Sequence, residues 1–197
     1  MALDLAALVL AHVDSPALCD RMRDLYARLD AEIASHAPVC TNRGECCHFD
    51  TYGHLLFVTP VELAYFVTGV RRNGRGAVGN GGGPPDETTQ PAERCDPADV
   101  AHASTADART AQRTLPLMAG TERICPYQIG GRCTARDHRP IGCRIFYCDP
   151  SAQAWQSDVF EKYLAELKQI GAELGVEYRF VEWVSALEAV LPPGVDR

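Results

Sequence analysis

The strongest constraint on this chain is a stretch of 24 residues that contains four cysteines. Separated by seven, nine and four residues, they are Cys125, Cys133, Cys143 and Cys148. A second group lies far upstream, in CTNRGECC, and comprises Cys40, Cys46 and Cys47. In a chain without a secretion signal, seven grouped thiols favour metal ligation by thiolates over disulfides. The seven cysteines are therefore the predicted metal ligands.

Composition limits the classes of protein to be considered. At 197 residues and 46% hydrophobic, the chain is long enough for one core with a small subdomain. Its net charge of −7 opposes nonspecific binding to nucleic acid or to anionic membranes. We find no apolar run of about 18 residues, so we expect no membrane span. The apolar opening carries Asp4 and no positive region, which favours a short amphipathic helix over a signal peptide and predicts a cytoplasmic protein.

Helices are predicted to flank the cysteines on the N-terminal side, within residues 1–37. Ser15 followed by proline is typical of a helix start, and apolar residues at helical spacing continue to about Ser35. Cys19 lies in this helix and is interpreted as a half-buried packing residue. The segment 55–58, LLFV, is then predicted to form a short buried strand.

A second helix should follow from the sequence TPVE. Thr59 and Glu62 form a capping box, with proline at the first helical position, and the helix should end near Gly69. Residues 71–114 contain almost no large apolar side chains, so we expect a disordered insertion with at most a weak helix over 98–113. Cys95 lies in this insertion and is left out of the metal site.

The tail, residues 151–197, is predicted to be a helix–strand–helix unit that packs over the metal region. Ser157 should cap a helix that ends at Gly175. The segment 178–184 is strand-like in composition, and 186–191 should form a last helical turn or two. The two tryptophans, Trp155 and Trp183, are expected to pack in the core. Together these features predict an α+β fold, a small irregular domain organised by cysteines and metal, formed by residues 38–70 and 115–150 between flanking helices.

Local sequence suggests how the cysteines are held. Gly44 permits a tight loop, and GG before Arg132 predicts a turn between two short extended pieces. The segment RPIGCR predicts a constrained turn at Cys143. Cys46 and Cys47 should point to opposite sides if the backbone is extended, unless it is irregular there. Arginines interleaved with the later cysteines could offset the charge of thiolates and donate hydrogen bonds to sulfur, or could simply be exposed. These arginines are Arg132, Arg139 and Arg144.

The spacing of these residues resembles a known family. The segments C-x-x-R-x-x-C-C from Cys40, C-P-x6-C from Cys125 and R-P-x-x-C-R from Arg139 are similar to those of the CxxCxxCC, or YkgJ-type, proteins. The resemblance covers residues 38–150 apart from the insertion. It implies a zinc- or iron-chelating domain, and the distant relatives of that family include flagellin lysine methylases.

One position departs from the family pattern, because Arg43 stands where the family has its second cysteine. Seven matching thiols remain, so a site is either completed by another ligand or keeps an open position. Nearby candidates for that ligand are His48, Asp50, His54 and His138.

The sequence leaves the bound species and its use open. Thiolate ligands suit zinc and iron–sulfur clusters, and the wide spacings and surplus thiols favour iron–sulfur slightly. The chain has no nucleotide-binding fingerprint, which favours a metal-binding protein with an unknown protein partner. The alternative is an iron–sulfur enzyme that catalyses redox or group-transfer chemistry. A thiol–disulfide oxidoreductase is less favoured because C-x-x-C is missing.

Overall fold

A computed structural model describes residues 4–40, 44–76 and 123–191, which form a mixed α+β fold. The α-helices in these ranges are α1 (Leu5–Leu10), α2 (Pro16–Ser35), α3 (Phe49–Tyr52), α4 (Pro60–Gly76), α5 (Ile141–Ile145), α6 (Gln153–Glu173) and α7 (Trp183–Val190). The strands are β1 (Phe57–Val58), β2 (Gln128–Ile129), β3 (Arg132–Cys133) and β4 (Val181–Glu182). Short 3-10 turns lie at Glu45–Cys47, Arg136–His138 and Pro150–Ala152. Cys95 and most of the predicted insertion lie outside the described residues.

The first two helices form where the sequence predicts them. Ser15 caps α2, and its Oγ accepts a hydrogen bond of 3.4 Å from the backbone N–H of Leu18. The buried stripe of α2 comprises Leu18, Met22, Leu25, Tyr26, Leu29 and Ile33. Cys19 is only 4% exposed, so its predicted half-burial is wrong. The reason is that α2 packs against both α4 and α6, which covers more than one stripe of its surface.

The fourth helix begins at the predicted capping box but ends later than predicted. The Glu62 carboxylate accepts hydrogen bonds from the backbone N–H and the hydroxyl of Thr59, at 2.8 and 3.0 Å. The helix continues through Gly76, so the predicted end near Gly69 is wrong. Gly69 instead allows close packing, because a Cβ there would lie 1.4 Å from the His138 ring.

Strands contribute little to this fold, and they are shorter than predicted. β1 pairs antiparallel with β4, with Phe57 opposite Glu182. Val58 is buried whereas Phe57 is 38% exposed, so the predicted buried strand at 55–58 is wrong in its extent and in its burial. The predicted strand at 178–184 is also cut short, because Glu182 caps α7 by accepting hydrogen bonds from the backbone N–H groups of Val184 and Ser185.

The longest helix of the tail, α6, covers the cysteine segments from one side. It begins at Gln153, so the predicted cap at Ser157 lies inside the helix and is wrong. A left-handed Gly175, with φ of +70°, follows its end as predicted. α6 packs against α5, the helix that contains Cys143, and against α2 and α4. No helix of the described residues is long and apolar enough to cross a membrane.

Candidate metal centre

The two groups of cysteines converge on one small cavity. Its volume is about 60 Å³, and six of the seven predicted ligands line it. These six are Cys40, Cys46, Cys47, Cys133, Cys143 and Cys148. We call this space the thiol cavity. It brings together residues that are about a hundred positions apart in the sequence, as the sequence predicts for a shared site.

The seventh cysteine, Cys125, does not line the cavity but is hydrogen-bonded to Cys47, which does. Its backbone N–H donates a hydrogen bond of 2.9 Å to the carbonyl of Cys47, and its thiol interacts with the Cys47 thiol. The indole N–H of Trp183 donates to the Cys125 Sγ at 3.4 Å. Cys125 is therefore joined to the upstream group by both backbone and side chain.

A short backbone pairing holds the two cysteine segments together. His48 and Ile124 form an isolated antiparallel bridge, and the backbone N–H of Phe49 donates to the carbonyl of Arg123 at 3.0 Å. Gly44, with φ of +73°, lies against the β2–β3 hairpin, since a Cβ there would be 2.9 Å from the carbonyl oxygen of Gly131. The tight loop at Gly44 and the hairpin turn are thus confirmed, and they contact each other.

The adjacent thiols of Cys46 and Cys47 lie close together. They belong to a 3-10 turn, and their Sγ atoms are 4.0 Å apart. The irregular backbone considered from the sequence is therefore the arrangement found, and the two thiols do not point to opposite sides. For comparison, two thiolates on one tetrahedral zinc are roughly 3.8 Å apart, given a Zn–S bond of about 2.3 Å.

Cys143 reaches the cavity from a helix. The sequence predicts a constrained turn here, but residues Ile141–Ile145 form the short helix α5. Pro140 precedes it in an extended conformation, and the backbone N–H of Ile141 donates to the Glu62 carboxylate at 2.9 Å. This bond satisfies a helix-end donor that has no partner within its own helix. The capping box of α4 therefore also positions the segment that carries Cys143.

Hydrogen bonding makes two of the thiols acidic. Interaction with the Cys47 thiol, with a smaller contribution from Arg139, lowers the pKa of Cys46 to about 6. The Cys47 thiol and the Trp183 indole lower the pKa of Cys125 to about 7. The pKa of Cys47 itself is raised by its interactions with Cys125 and Cys46 and by burial. One thiol proton serves only one acceptor at a time, so Cys46 and Cys125 compete for it.

Burial acts in the opposite direction on two other thiols. It raises the pKa of Cys143 and, less strongly, of Cys133. Thiolates rather than thiols bind metals, so these two cysteines need a positive charge nearby before they ionise. A bound cation is the strongest such charge.

The arginines around the cavity differ partly from those singled out in the sequence. Of the two arrangements that the sequence leaves open, Arg139 and Arg144 line the thiol cavity, whereas Arg132 is exposed and does not; Arg136 lines the cavity as well. Arg144 is 7% exposed, and its guanidinium donates to the Asp30 carboxylate at 2.7 Å and to the carbonyls of Arg139 and Asp137. Because the donors of Arg144 are engaged by Asp30 and by two backbone carbonyls, Arg136 and Arg139 are the arginines that can balance thiolate charge.

The described lining residues include none of the four proposed non-cysteine ligands. The His48 ring interacts with the Gln128 amide at 3.0 Å, and the His54 ring with the Cys46 carbonyl at 3.3 Å. Asp50 accepts a hydrogen bond from the backbone N–H of Arg123. The His138 ring packs against Tyr65. Arg43, at the position where the family pattern has a cysteine, lies outside the described residues.

The chain matches no protein-family model, no curated protein and no solved structure. The site is therefore interpreted from its own residues. In the described ranges, no three His, Cys, Asp or Glu side chains are already placed to hold a metal ion together. The thiols share a cavity, and ligation would require some of them to turn inward about their Cα–Cβ bonds.

Two residues of this site were missed from the sequence. Trp183 was assigned to core packing, and it is 2% exposed, but its indole N–H also donates to sulfur. A buried indole N–H usually finds a partner, so a tryptophan within a cysteine-rich chain is a usable signal. Asp30 lies in α2 and forms a salt bridge with Arg144. Nothing in the sequence indicated this role, because a charged residue on a helix is most often solvated. Trp155 packs on His36, with ring centroids 4.4 Å apart.

Proposed function

We propose that the chain is a metal-binding protein that ligates an iron–sulfur cluster or zinc through its two groups of cysteines. The observation that carries this proposal is the thiol cavity. Six thiols from two remote segments line it, and the seventh contacts one of them. The proposed ligands are Cys40, Cys46, Cys47, Cys125, Cys133, Cys143 and Cys148.

The donor set and the space fit this use. Ligand sites made only of thiolates suit zinc and iron–sulfur clusters. A cavity of about 60 Å³ is far below the range of about 300–1,000 Å³ that is typical of organic ligands. Arg136 and Arg139 border the cavity and supply positive charge to an anionic thiolate site. A bound ion or cluster would cross-link loops that have little regular structure, which is what makes this small domain metal-organised.

The surplus of thiols favours iron–sulfur over a single zinc. Four thiolates complete a tetrahedral zinc site, and three more would remain. Those three could form a second site with an open position, a hypothesis that rests on Arg43 standing at a ligand position of the CxxCxxCC pattern. Membership of that family stays a hypothesis as well.

A specific observation favours the second candidate function, an iron–sulfur enzyme. An apolar cleft of about 460 Å³ shares Cys46 and Cys143 with the thiol cavity. Phe57 and Phe180 stack on one another within it, with centroids 5.3 Å apart. This volume is typical of small-molecule sites, so a substrate in the cleft would reach the thiol cavity. A purely structural ion has no need of such a neighbour.

The proposal is tested on protein purified without oxygen. We expect bound iron with acid-labile sulfide and a visible absorption band, or else bound zinc. We expect the Cys143→Ser variant to lose most of the bound metal. A colourless protein with one tightly bound zinc and no iron would exclude the iron–sulfur assignment. Protein free of both metals after reconstitution would exclude metal binding altogether.

A matched control separates ligation from the general loss of a buried thiol. Cys19 is buried in the helical core, away from the thiol cavity, so Cys19→Ser should keep its full metal content. Because Cys143→Ser could fail to fold, the half-buried Cys133 provides a second ligand variant. Full metal occupancy in both ligand variants would exclude these cysteines from the site.

A further inference from the structure

A second concave surface adjoins the thiol cavity and has an unusual charge. It is a groove of about 870 Å³ between α2 and the segment 136–147. Its charged lining residues are Arg23, Arg136, Arg139, Arg144, Asp30 and Asp137. Four arginines against two aspartates make this groove basic in a chain whose net charge is −7. A concave surface of one sign concentrates ligands of the other sign.

Two of these arginines have no salt-bridge partner among the residues that the structure describes. Arg144 is held by Asp30, and Arg23 by Asp20. Within the described part of the chain, neither Arg136 nor Arg139 forms a salt bridge. Arg139 donates its Nε to the carbonyl of Arg136 at 3.2 Å. With respect to residues 4–40, 44–76 and 123–191, the terminal nitrogens of both guanidinium groups are therefore available, and such groups bind carboxylate and phosphate oxygens in pairs.

The wall of the groove also contains an unsatisfied donor. Tyr26 lines the groove, and its buried hydroxyl has no hydrogen-bond partner in the described structure. The face of its ring carries the guanidinium of Arg144, 4.1 Å from the centroid. A buried hydroxyl without a partner costs free energy, but its oxygen exposes less than 1 Å², so a ligand in the groove would reach it only if the Tyr26 side chain moved.

We propose that this groove binds a small organic oxyanion, a carboxylate or a phosphate, whose head group is held by Arg136 and Arg139. The same two arginines line the thiol cavity, so the head group would lie beside the cysteines. The volume of the groove falls in the range of small-molecule sites. A role for this anion as substrate rests on the proposed metal-binding function, but binding of the anion does not.

Calorimetric titration of the full chain at low salt tests the groove. The probes are inorganic phosphate and citrate, which distinguish a phosphate site from a carboxylate site. We expect one of them to bind with a stoichiometry of one, and R136Q/R139Q to weaken its affinity by at least tenfold. The control R21Q/R132Q removes the same charge from exposed positions outside the groove and should change affinity less than twofold. Absence of saturable binding, or equal weakening in the control, would overturn the proposal.

Metal content measured on the same samples separates the two proposals. Saturable anion binding to protein that holds no metal supports the groove and counts against the metal-binding function. If metal-loaded protein binds neither anion, the metal-binding function is supported and the proposal for the groove is overturned. If R136Q/R139Q loses metal as well, R136K/R139K decides, because it keeps the charge beside the thiols and removes the forked donor geometry. Weaker anion binding in that variant supports the proposal, and unchanged binding overturns it.

Discussion

The helical core and the thiol region, here residues 40, 44–48 and 125–148, are held together in different ways. The helical core buries large apolar side chains, and Leu18, Met22, Leu25 and Leu29 of α2 are all 0% exposed. In the thiol region, two-residue strands, single turns and one short helix connect the cysteines, and few large apolar side chains are buried. Apolar burial therefore stabilises the helical core, whereas the thiol region would depend on the metal ion or cluster that we propose its sulfur atoms bind.

The largest expected effect comes from a cavity in the helical core. Leu29→Ala removes a side chain that is completely buried, and such changes cost about 2–5 kcal/mol of unfolding free energy. We expect urea denaturation to show this loss while the metal content per folded molecule stays the same. Leu10→Ala, at a position that is 41% exposed, is the control and should cost much less. Loss of metal from folded Leu29→Ala would show that the two regions are not independent.

The helical core could largely be predicted because its signals are local. Ser15 before a proline, the Thr59–Glu62 capping box and the glycine after α6 each fix a helix end through one or two neighbouring residues. The errors at Gly69 and Ser157 differ in kind. At Gly69 the helix continues, and the missing side chain makes room for the ring of His138 from a distant segment. At Ser157 a local signal was overlooked, because Asp149 caps the 3-10 turn that begins at Pro150 and leads directly into α6.

In the thiol region, only the grouping of the cysteines could be predicted. Their type and spacing predicted a shared metal site; six of the seven line one cavity, and the metal itself stays a prediction. Which arginine accompanies them depends on the 3-10 turn at 136–138, which turns Arg136 rather than Arg132 toward the cavity. The pairing of His48 with Ile124 and the hydrogen bond from Trp183 to Cys125 likewise depend on the tertiary fold.

Glu62 connects the two regions, and its variant should have an intermediate effect. Its carboxylate accepts hydrogen bonds from Thr59 in α4 and from Ile141, which begins the helix carrying Cys143. In Glu62→Gln one of the buried donors loses its acceptor, at a cost of about 1–3 kcal/mol. Urea denaturation of wild type and variant should show this loss, together with weaker metal binding.

The difference in unfolding free energy between the wild type and Glu62→Gln should depend on pH, and this dependence tests the environment of Glu62. Burial raises the pKa of this carboxyl above its ordinary value of 4.5. The folded state therefore keeps a proton that the unfolded state releases, so stability is lost as pH rises from 4.5 through the raised pKa. We expect the wild type to lose stability over this range and the variant, which cannot titrate there, to lose less. A difference that grows with pH would mean that the hydrogen bonds from Thr59 and Ile141 outweigh burial.

The smallest effect is expected where the two cysteine segments touch. Gly44→Ala places a methyl group 2.9 Å from the Gly131 carbonyl, in a backbone conformation, φ of +73°, that disfavours side chains. Gly53→Ala meets the same disfavoured conformation, φ of +65°, but no atom lies within 4 Å of the new methyl. Each variant should lose about 1–2 kcal/mol from backbone strain alone. Only the first also pushes the upstream cysteine loop away from the hairpin that carries Cys133.

The two glycine variants together measure how far the thiol region depends on a close fit of its loops. If apolar packing contributes little there, separating the loops should weaken metal affinity in Gly44→Ala while Gly53→Ala binds metal as the wild type does. Competition with a chelator measures that affinity independently of unfolding. Equal metal affinity in both variants would mean that the sulfur ligands tolerate displacement of the hairpin. The convergence of the two segments would then be set by the pairing of His48 with Ile124, and not by the contact between Gly44 and Gly131.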